Sequence, residues 1–369
     1  MSYFPQNQPD FNYLRHLVLP IWDWNKPMSK KDMSMYLAHF DRRTNKADDW
    51  FYDAIMPYIL ESPNGNYLAA DSNRGTSRNG EGDFYAIVNP NPANMRDWLL
   101  GIEAHLAPNG PIDTIDKLVP ELTRQVGRKP DHPISIVIGC PYPMPNQSLF
   151  GKLKSNKPSL NFSVTAQNLM QASEQRLEAV NWFVDEALKQ WSKTDFKNVK
   201  LLGFYWMYES LHYSWDIDDH WVIKEFYKHC KKRKTKLFWI PFYSSYNVRI
   251  LNDYQGFYFD CAMLQPNHIF YYDVPDVKQA ALEAKSRGAG FEMEYYYYFP
   301  PKFSVGNQKY KRFRNYLNGG VKYGYMKDSV CGHFIGPCDI PKMYSSPKPQ
   351  EIEAYEDLFH FVKGDYELK

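Results

Sequence analysis

The runs VKLLGFYWMYE, Val199–Glu209, and GAGFEMEYY, Gly288–Tyr296, are apolar and aromatic stretches bounded by turn residues, which is the pattern of β-strands. Six further runs share this pattern: Leu14–Asp23, Trp50–Glu61, His132–Tyr142, Lys236–Ser244, Phe259–Gln265 and Ser329–Gly336. The sequence therefore predicts eight strands, and the two quoted runs, the fourth and the seventh, also carry glutamate.

Helical patterns lie between these strands. The clearest is Thr165–Trp191, which has apolar residues at i, i+3 and i+4 spacing and a threonine suited to N-capping at its start. The same pattern recurs in Asp218–Arg233, Val274–Arg287, Lys309–Tyr323 and Pro349–Lys363. Alternating strands and helices predict right-handed crossovers and a parallel sheet. Because no glycine-rich dinucleotide loop follows the first strand, we expect a closed (β/α)8 TIM barrel of the α/β class, with residues 1–369 forming one domain.

A long insertion after strand two is the irregular part of this pattern. Residues 62–92 are predicted to be a hairpin or loop insertion at the active-site face, with Tyr67–Ala70 and Asp83–Val88 flanking the turn SNRGTSRNGEG. Loops of this length are usually either functional or mobile. Two interpretations stay open: a mobile hairpin without a role, or a lid that brings Asp71 or Arg74 over the site.

Charge and hydropathy exclude several classes of partner. The 44 Lys and Arg residues nearly balance the 42 Asp and Glu residues, for a formal net charge of +2, so nothing indicates a nucleic acid or a membrane surface. The basic run Lys228–Lys236 fits the C-terminal end of a helix. No apolar run approaches the roughly 18 residues of a membrane-spanning helix. We expect a monomer, cytoplasmic as the sequence stands, or periplasmic or extracellular if a signal peptide has been removed.

Cysteines and histidines give no sign of a metal or another cofactor. The five cysteines lack metal-binding spacing and are predicted to be free thiols, with a Cys331–Cys338 bridge as the alternative. His212, His268 and His333 fall near predicted strand ends, but no HxH or HExxH spacing occurs, so they are predicted to be ordinary hydrogen-bonded imidazoles. A GxSxG elbow and a P-loop are also absent from the sequence.

Carboxylates on the predicted strands are the strongest chemical signal. Glu209 ends strand four, while Glu292 and Glu294 share one face of strand seven, one layer apart. A carboxylate inside a barrel is costly unless it is paired, hydrogen-bonded or used in chemistry. Two carboxyls at the tips of these strands are typical of retaining glycosidases, in which they lie about 5–5.5 Å apart. We predict Glu209 as the general acid/base, Glu294 as the nucleophile and Glu292 as a supporting or alternative carboxylate; the alternative is a Lys or Arg partner for Glu209 and a solvated rim for the other two.

Aromatic residues make up 17% of the chain, which fits either a core of large side chains or a cleft whose rings stack on sugar faces. Residues at the predicted strand ends are candidate substrate contacts: Trp22, Asp23, Tyr58, Tyr142, Tyr205, Tyr243, Gln265, Asn267 and His333. Two alternatives stay open, because Asp23 could close a loop, and Gln265 and Asn267 could satisfy loop backbone.

The strings LLGFYWMYES, FWIPFYSSYN, FDCAMLQPNHIFY and GAGFEMEYYYYF carry a family resemblance. From Leu14 onward the chain resembles a bacterial family of glycosidase-like barrels described as a domain of unknown function. More distantly it is similar to the clan of retaining glycoside hydrolases with catalytic glutamates on strands four and seven, although Tyr208-Glu209 stands where that clan has Asn-Glu.

The resemblance and the carboxylates together predict a glycoside hydrolase that acts on an oligo- or polysaccharide. The alternative is a non-catalytic glycan-binding barrel of a cell-surface or uptake system. A sugar isomerase or metal-assisted lyase would require a metal cluster.

Overall fold

Parallel strands form a closed eight-stranded barrel. A computed structural model of the chain describes residues 1–68, 92–243, 246–271, 273–295, 308–336 and 338–369. The barrel strands are β1 (His16–Val18), β4 (Ala54–Ile55), β5 (Ile134–Cys140), β6 (Val199–Trp206), β7 (Lys236–Trp239), β8 (Cys261–Leu264), β9 (Gly290–Tyr295) and β10 (Cys331–Ile335), while β2 (Ala38–Asp41) and β3 (Lys46–Trp50) form a separate antiparallel pair. Neighbouring barrel strands follow one another in chain order, and β1 closes on β10. The predicted (β/α)8 fold is confirmed, and each barrel strand lies within one of the eight predicted runs.

Helices cover the outside of this barrel. They are α1 (Lys30–Leu37), α2 (Met95–Leu106), α3 (Pro111–Val126), α4 (Leu169–Trp191), α5 (Asp219–Lys232), α6 (Lys278–Ser286), α7 (Lys309–Tyr323), α8 (Tyr325–Asp328), α9 (Asp339–Ser345) and α10 (Pro349–Lys363). Helices α7 and α10 have the predicted bounds. Helix α4 begins later than predicted, because Asn168 and Gln171 form a capping box while the Thr165 hydroxyl hydrogen-bonds to Ser163.

The segment between the first and second barrel strands contains structure that the sequence patterns did not predict. Helix α1 is followed by the β2–β3 hairpin, so Trp50, predicted in the second barrel strand, ends β3 instead. Helices α2 and α3 fill much of the insertion after the second barrel strand. Residues 69–91, with Asp71 and Arg74, lie outside the described residues, and so do most of the predicted hairpin and its possible lid.

The N-terminal segment packs across the end of the barrel at which the strands begin. The Phe4 N–H donates to the Ala289 carbonyl at 3.1 Å, and the Val330 N–H donates to the Phe4 carbonyl at 2.9 Å. The Phe11 ring lies 5.0 Å from that of Phe4 and 6.2 Å from that of Phe238 in β7, both edge to face. These aromatic contacts form the floor of the barrel.

All five cysteines are free thiols, so Cys331 and Cys338 are not bridged. Among the described residues, no helix combines the length and the apolar character needed to cross a bilayer.

Candidate active site

A pocket of about 190 Å³ opens at the end of the barrel where the strands terminate. Its walls come from residues within or just after seven of the eight barrel strands, together with one residue of the insertion: Leu19, Tyr58, Leu60, Tyr67, Tyr205, Glu209, Ile240, Gln265, Glu292 and Phe334. The carboxyl ends of parallel barrel strands all meet at this face, which is where enzymes of this fold bind their substrates. The pocket combines aromatic rings with two carboxyls and one amide.

Glu209 reaches the pocket from the segment that follows β6, and its side chain is half-buried. The backbone on either side of it is fixed. The indole N–H of Trp239 donates to the Tyr208 carbonyl at 2.9 Å, and the backbone N–H of His212 donates to Asp219 at 2.9 Å. The Tyr208 hydroxyl also hydrogen-bonds to the His212 ring. Glu209 is therefore presented by a well-anchored turn.

A buried ion pair between Arg176 and Asp219 supplies one of those anchors. We use the name Arg176–Asp219 cluster for these two side chains together with Tyr142 and the His212 N–H. The guanidinium lies 2.5 Å from an Asp219 oxygen, and both side chains are at most 1% exposed. The Tyr142 hydroxyl is 3.1 and 3.0 Å from the two Asp219 oxygens. Burial alone would lower the pKa of Arg176, but the negative charge of Asp219 acts in the opposite direction, and the pKa is raised. Tyr142, predicted to wall the cleft, lies in this cluster and not among the pocket residues, because the carboxylate binds its hydroxyl.

Glu292 and Glu294 both lie on β9, but their surroundings differ. Glu292 lines the pocket and makes no hydrogen bond within the described part of the chain. Glu294 is fully buried and is not among the pocket-lining residues. Its carboxylate accepts hydrogen bonds from Gln265 Nε2 at 3.1 Å and from the Tyr316 hydroxyl of α7, and that hydroxyl in turn accepts the backbone N–H of His268 at 3.1 Å.

Burial and mutual repulsion shift the titration of these two groups. Burial, and then the charge of Glu294, raise the pKa of Glu292 well above its ordinary value. Burial raises the pKa of Glu294 to about 7, although the donors around it act in the opposite direction. Above about pH 7 the pair therefore keeps one proton, and the donors around Glu294 favour that proton on Glu292.

Gln265, at the end of β8, connects Glu294 to the pocket. Its amide nitrogen donates to Glu294 and, at 3.0 Å, to the side-chain oxygen of Asn267. Its own oxygen is buried and has no partner in the described residues, although the side chain lines the pocket. Asn267, predicted as a substrate contact, is not a pocket residue and instead supports the Gln265 amide.

Two of the predicted aromatic contacts, Tyr58 and Tyr205, do line the pocket, with ring centroids 6.2 Å apart. Trp22 is buried outside the pocket lining, and Tyr243 is half-buried against the core. Asp23 is exposed and accepts the Asn25 N–H at 2.8 Å, which is the loop-closing role considered above as its alternative.

His333 does not reach the pocket, because its side chain points to the outer side of β10. Its Nε2 lies 2.9 Å from Nδ1 of His16, and its ring packs edge to face on Tyr52 and Phe361. Burial lowers its pKa to about 3. Across the described residues, no group of three His, Cys, Asp or Glu side chains is arranged to hold a metal ion.

Several pocket residues were missed by the sequence reading: Leu19, Leu60, Tyr67, Ile240 and Phe334. Strand parity could have identified Phe334. It shares a face with Gly332, where an added methyl would lie 3.6 Å from Cγ of Glu292 inside the barrel. His333 lies between them and faces the opposite way.

Comparisons with known proteins give a family and distant structural similarities. The sequence profile of the family described as Domain of unknown function (DUF4855) matches residues 23–360. A comparison with curated proteins finds no match.

Among solved structures, similarity extends to a GH5-4 broad specificity endoglucanase from an uncultured bacterium, with 9% identity over 97% of this chain and 96% of that one and a TM-score of 0.44. It also extends to the tandem GH20 catalytic modules of the pneumococcal exo-β-D-N-acetylglucosaminidase StrH, with 14% identity over 97% and 85% and a TM-score of 0.41. A xylanase and α-amylase inhibitor protein from Scadoxus multiflorus has 8% identity over 95% and 97% and a TM-score of 0.38.

Proposed function

The chain belongs to the family described as Domain of unknown function (DUF4855), and we propose that it is a glycoside hydrolase that cleaves an oligo- or polysaccharide through Glu209 and Glu292. One observation carries the proposal: carboxyls from the fourth and seventh barrel strands line the same aromatic pocket at the mouth of the barrel. In most glycoside hydrolase families, two carboxyls flank the bond that is cleaved.

The two carboxyls suit different roles. Glu292 is buried and keeps its proton at neutral pH, as a general acid must in order to protonate the departing glycosidic oxygen. Glu209 is half-buried, and we assign it the carboxylate role, either attacking the anomeric carbon or activating a water molecule. Glu294, the nucleophile predicted from the sequence, is replaced in this proposal because its oxygens already accept hydrogen bonds from neighbouring donors.

Rings at the pocket wall fit a sugar ligand. Tyr58 and Tyr205 offer flat apolar surface, and Gln265 offers an unpartnered carbonyl among the described residues. A barrel that only binds glycans could use the same rings. It would have no need of a carboxyl that is kept neutral inside the pocket, so hydrolysis is the function that we propose.

The test is turnover of a panel of activated aryl glycosides by the wild type and by Glu209→Gln and Glu292→Gln. Each variant should lose at least about 100-fold, the low end of what acid/base catalysis supplies. Glu186→Gln, on the surface of α4, is the control and should keep full activity.

Azide separates the two roles. The Glu292 variant should keep its first step on an activated substrate and be rescued by azide, whereas the Glu209 variant should give an azide product of opposite anomeric configuration or none. Near-normal turnover by Glu292→Gln would contradict the role of that residue. A wild type that binds oligosaccharides but cleaves no glycoside of the panel would favour the glycan-binding alternative.

A further inference from the structure

We propose that Glu294 is a positioning residue for the pocket: in its ionised form behind the wall it keeps the proton on Glu292 and fixes the orientation of the Gln265 amide. The proposal rests on the proposed hydrolysis for its effect on turnover. The protonation states that it assigns exist without substrate, so they can be tested even if no glycoside is cleaved.

The surroundings of Glu294 favour its ionised form. The Gln265 amide nitrogen donates to one carboxylate oxygen and the Tyr316 hydroxyl to the other, and the backbone N–H of His268 occupies the acceptor side of that hydroxyl. An ionised carboxylate accepts both hydrogen bonds, so these donors favour the ionised form over the protonated one. Hydrogen bonds to a charged acceptor are roughly twice as strong as neutral ones.

Glu292 has the opposite surroundings. It is two residues away on the same face of β9, buried, and without a hydrogen bond in the described chain. Two neighbouring carboxylates in a dehydrated site do not both ionise, and the one without donors keeps the proton. Glu294 therefore makes Glu292 an acid rather than a base.

The same carboxylate fixes the orientation of Gln265. The amide nitrogen faces Glu294 and the Asn267 side-chain oxygen, which both accept, so the amide oxygen is turned away from them. That oxygen is buried and has no partner in the part of the chain that the structure describes. A ligand hydroxyl or amide N–H that reaches this oxygen would supply the missing donor, and sites built to bind a substrate group in this way strongly reject analogues that lack it.

Other titratable or charged groups face this region from the neighbouring elements: Glu209 after β6, Tyr58 and Tyr205 in the pocket wall, His268 after β8, and Arg312 and Tyr316 of α7. Burial lowers the pKa of His268 and raises that of Tyr316, so both are neutral at pH 7. Arg312 binds backbone carbonyls after β8 and keeps its charge. Glu209 is the only further carboxyl among these described groups.

The experiment is an infrared titration of the substrate-free protein. Ordinary carboxyls are ionised at pH 8, so a protonated-carboxyl C=O band at that pH reports a buried acid. We expect the band in the wild type and in Glu186→Gln, and we expect Glu292→Gln to abolish it. In Glu294→Gln, which removes the neighbouring charge, the band should persist at low pH but titrate about 1 pH unit or more lower.

Two outcomes would overturn the proposal: no band at pH 8 in the wild type, or a band that survives Glu292→Gln and disappears in Glu294→Gln. If Glu294→Gln does not fold, Tyr316→Phe removes one donor from Glu294 and should move the first ionisation of the pair to higher pH; an unchanged titration would again count against the proposal. Where turnover is measurable, the alkaline limb of kcat/KM should move with the band. Absence of turnover with the expected band would contradict hydrolysis alone.

Discussion

Two regions near the pocket bury charge in contrasting ways. In the Arg176–Asp219 cluster the charges are of opposite sign, and both carboxylate oxygens have donors: the guanidinium, the Tyr142 hydroxyl and the His212 N–H. In the Glu292–Glu294 pair the charges would be of like sign. Glu294 has two donors, Gln265 and Tyr316, and Glu292 has no hydrogen bond in the described residues.

The contrast suggests two uses of buried charge: the Arg176–Asp219 cluster stabilises the structure, whereas the Glu292–Glu294 pair holds a proton for chemistry. An opposite pair neutralises its own charge, and here it stabilises the turn that carries Glu209 through the His212 N–H. A like pair is tolerated only by keeping a proton, and that proton faces the pocket. Each of the following changes tests one side of this contrast.

The largest effect should come from Asp219→Asn, which leaves the Arg176 charge buried without its partner. We expect the free energy of unfolding to fall by about 3–5 kcal/mol, measured by urea denaturation. The double replacement of Arg176 by Met and Asp219 by Leu should recover part of this loss, because it removes both buried charges. A loss below about 1 kcal/mol in Asp219→Asn would mean that the cluster is not a structural anchor.

The next effect is a pH dependence that belongs to the like pair. The pKa of Glu294 rises from 4.5 to about 7 on folding, so the folded state holds more protons between those values. Its contribution is fully present below about pH 4.5 and is lost as the pH rises through about 7. Between pH 5 and pH 8 the wild type should lose roughly 3 kcal/mol relative to the Glu294→Gln variant, which keeps Glu292, measured by urea unfolding at each pH. If the stability of the wild type relative to the variant stayed constant or increased between pH 5 and pH 8, this prediction would be wrong.

A smaller effect is expected from Tyr316→Phe, which removes one donor from Glu294. The loss should be about 1.5–3 kcal/mol at pH 8, where Glu294 is ionised, and smaller at pH 5, where it is protonated. Tyr325→Phe is the matched control, since its hydroxyl donates to the neutral backbone carbonyl of Tyr316. Equal pH dependence of the two losses would argue against a charged Glu294.

The smallest effect should come from Trp215→Ala. Trp215 lies on the turn between Glu209 and α5 and is 80% exposed. If the Arg176–Asp219 cluster holds this turn, removal of the indole should change the free energy of unfolding by less than about 0.5 kcal/mol. A loss above about 1 kcal/mol would assign the anchoring to apolar contacts of the loop.

Much of the barrel could be predicted from the sequence, because its strands are apolar and α7 and α10 have strong helical periodicity. The β2–β3 hairpin could not, because Lys46–Trp50 reads KADDW and lacks an apolar run. Its polar residues bind partners far away in the chain: Asp49 pairs with Arg128 and Lys363, and His39 of β2 pairs with Glu356. Such ion pairs leave no local pattern.

The candidate site was predictable down to the strands but not to individual side chains. Parity on β9 predicted that Glu292 and Glu294 share a face. Which of them lines the pocket depends on Tyr316 of α7, 22 positions later in the chain, and no local signal reports that contact. Tyr142 is placed outside the pocket lining by a similar contact, because its hydroxyl binds Asp219, 77 positions away.

The seam between β1 and β10 has a consequence for biosynthesis. His16 and His333 are hydrogen-bonded although 317 positions separate them. The backbone of Phe4 likewise hydrogen-bonds to Ala289 and Val330, which are translated much later. On the ribosome, β1 emerges early and one of its edges stays unpaired until β10 has been translated. Closure by such distant pairing is slow, and it exposes apolar strands meanwhile. Nascent chains that stall before β10 are therefore the form of this protein with the greatest need of chaperones.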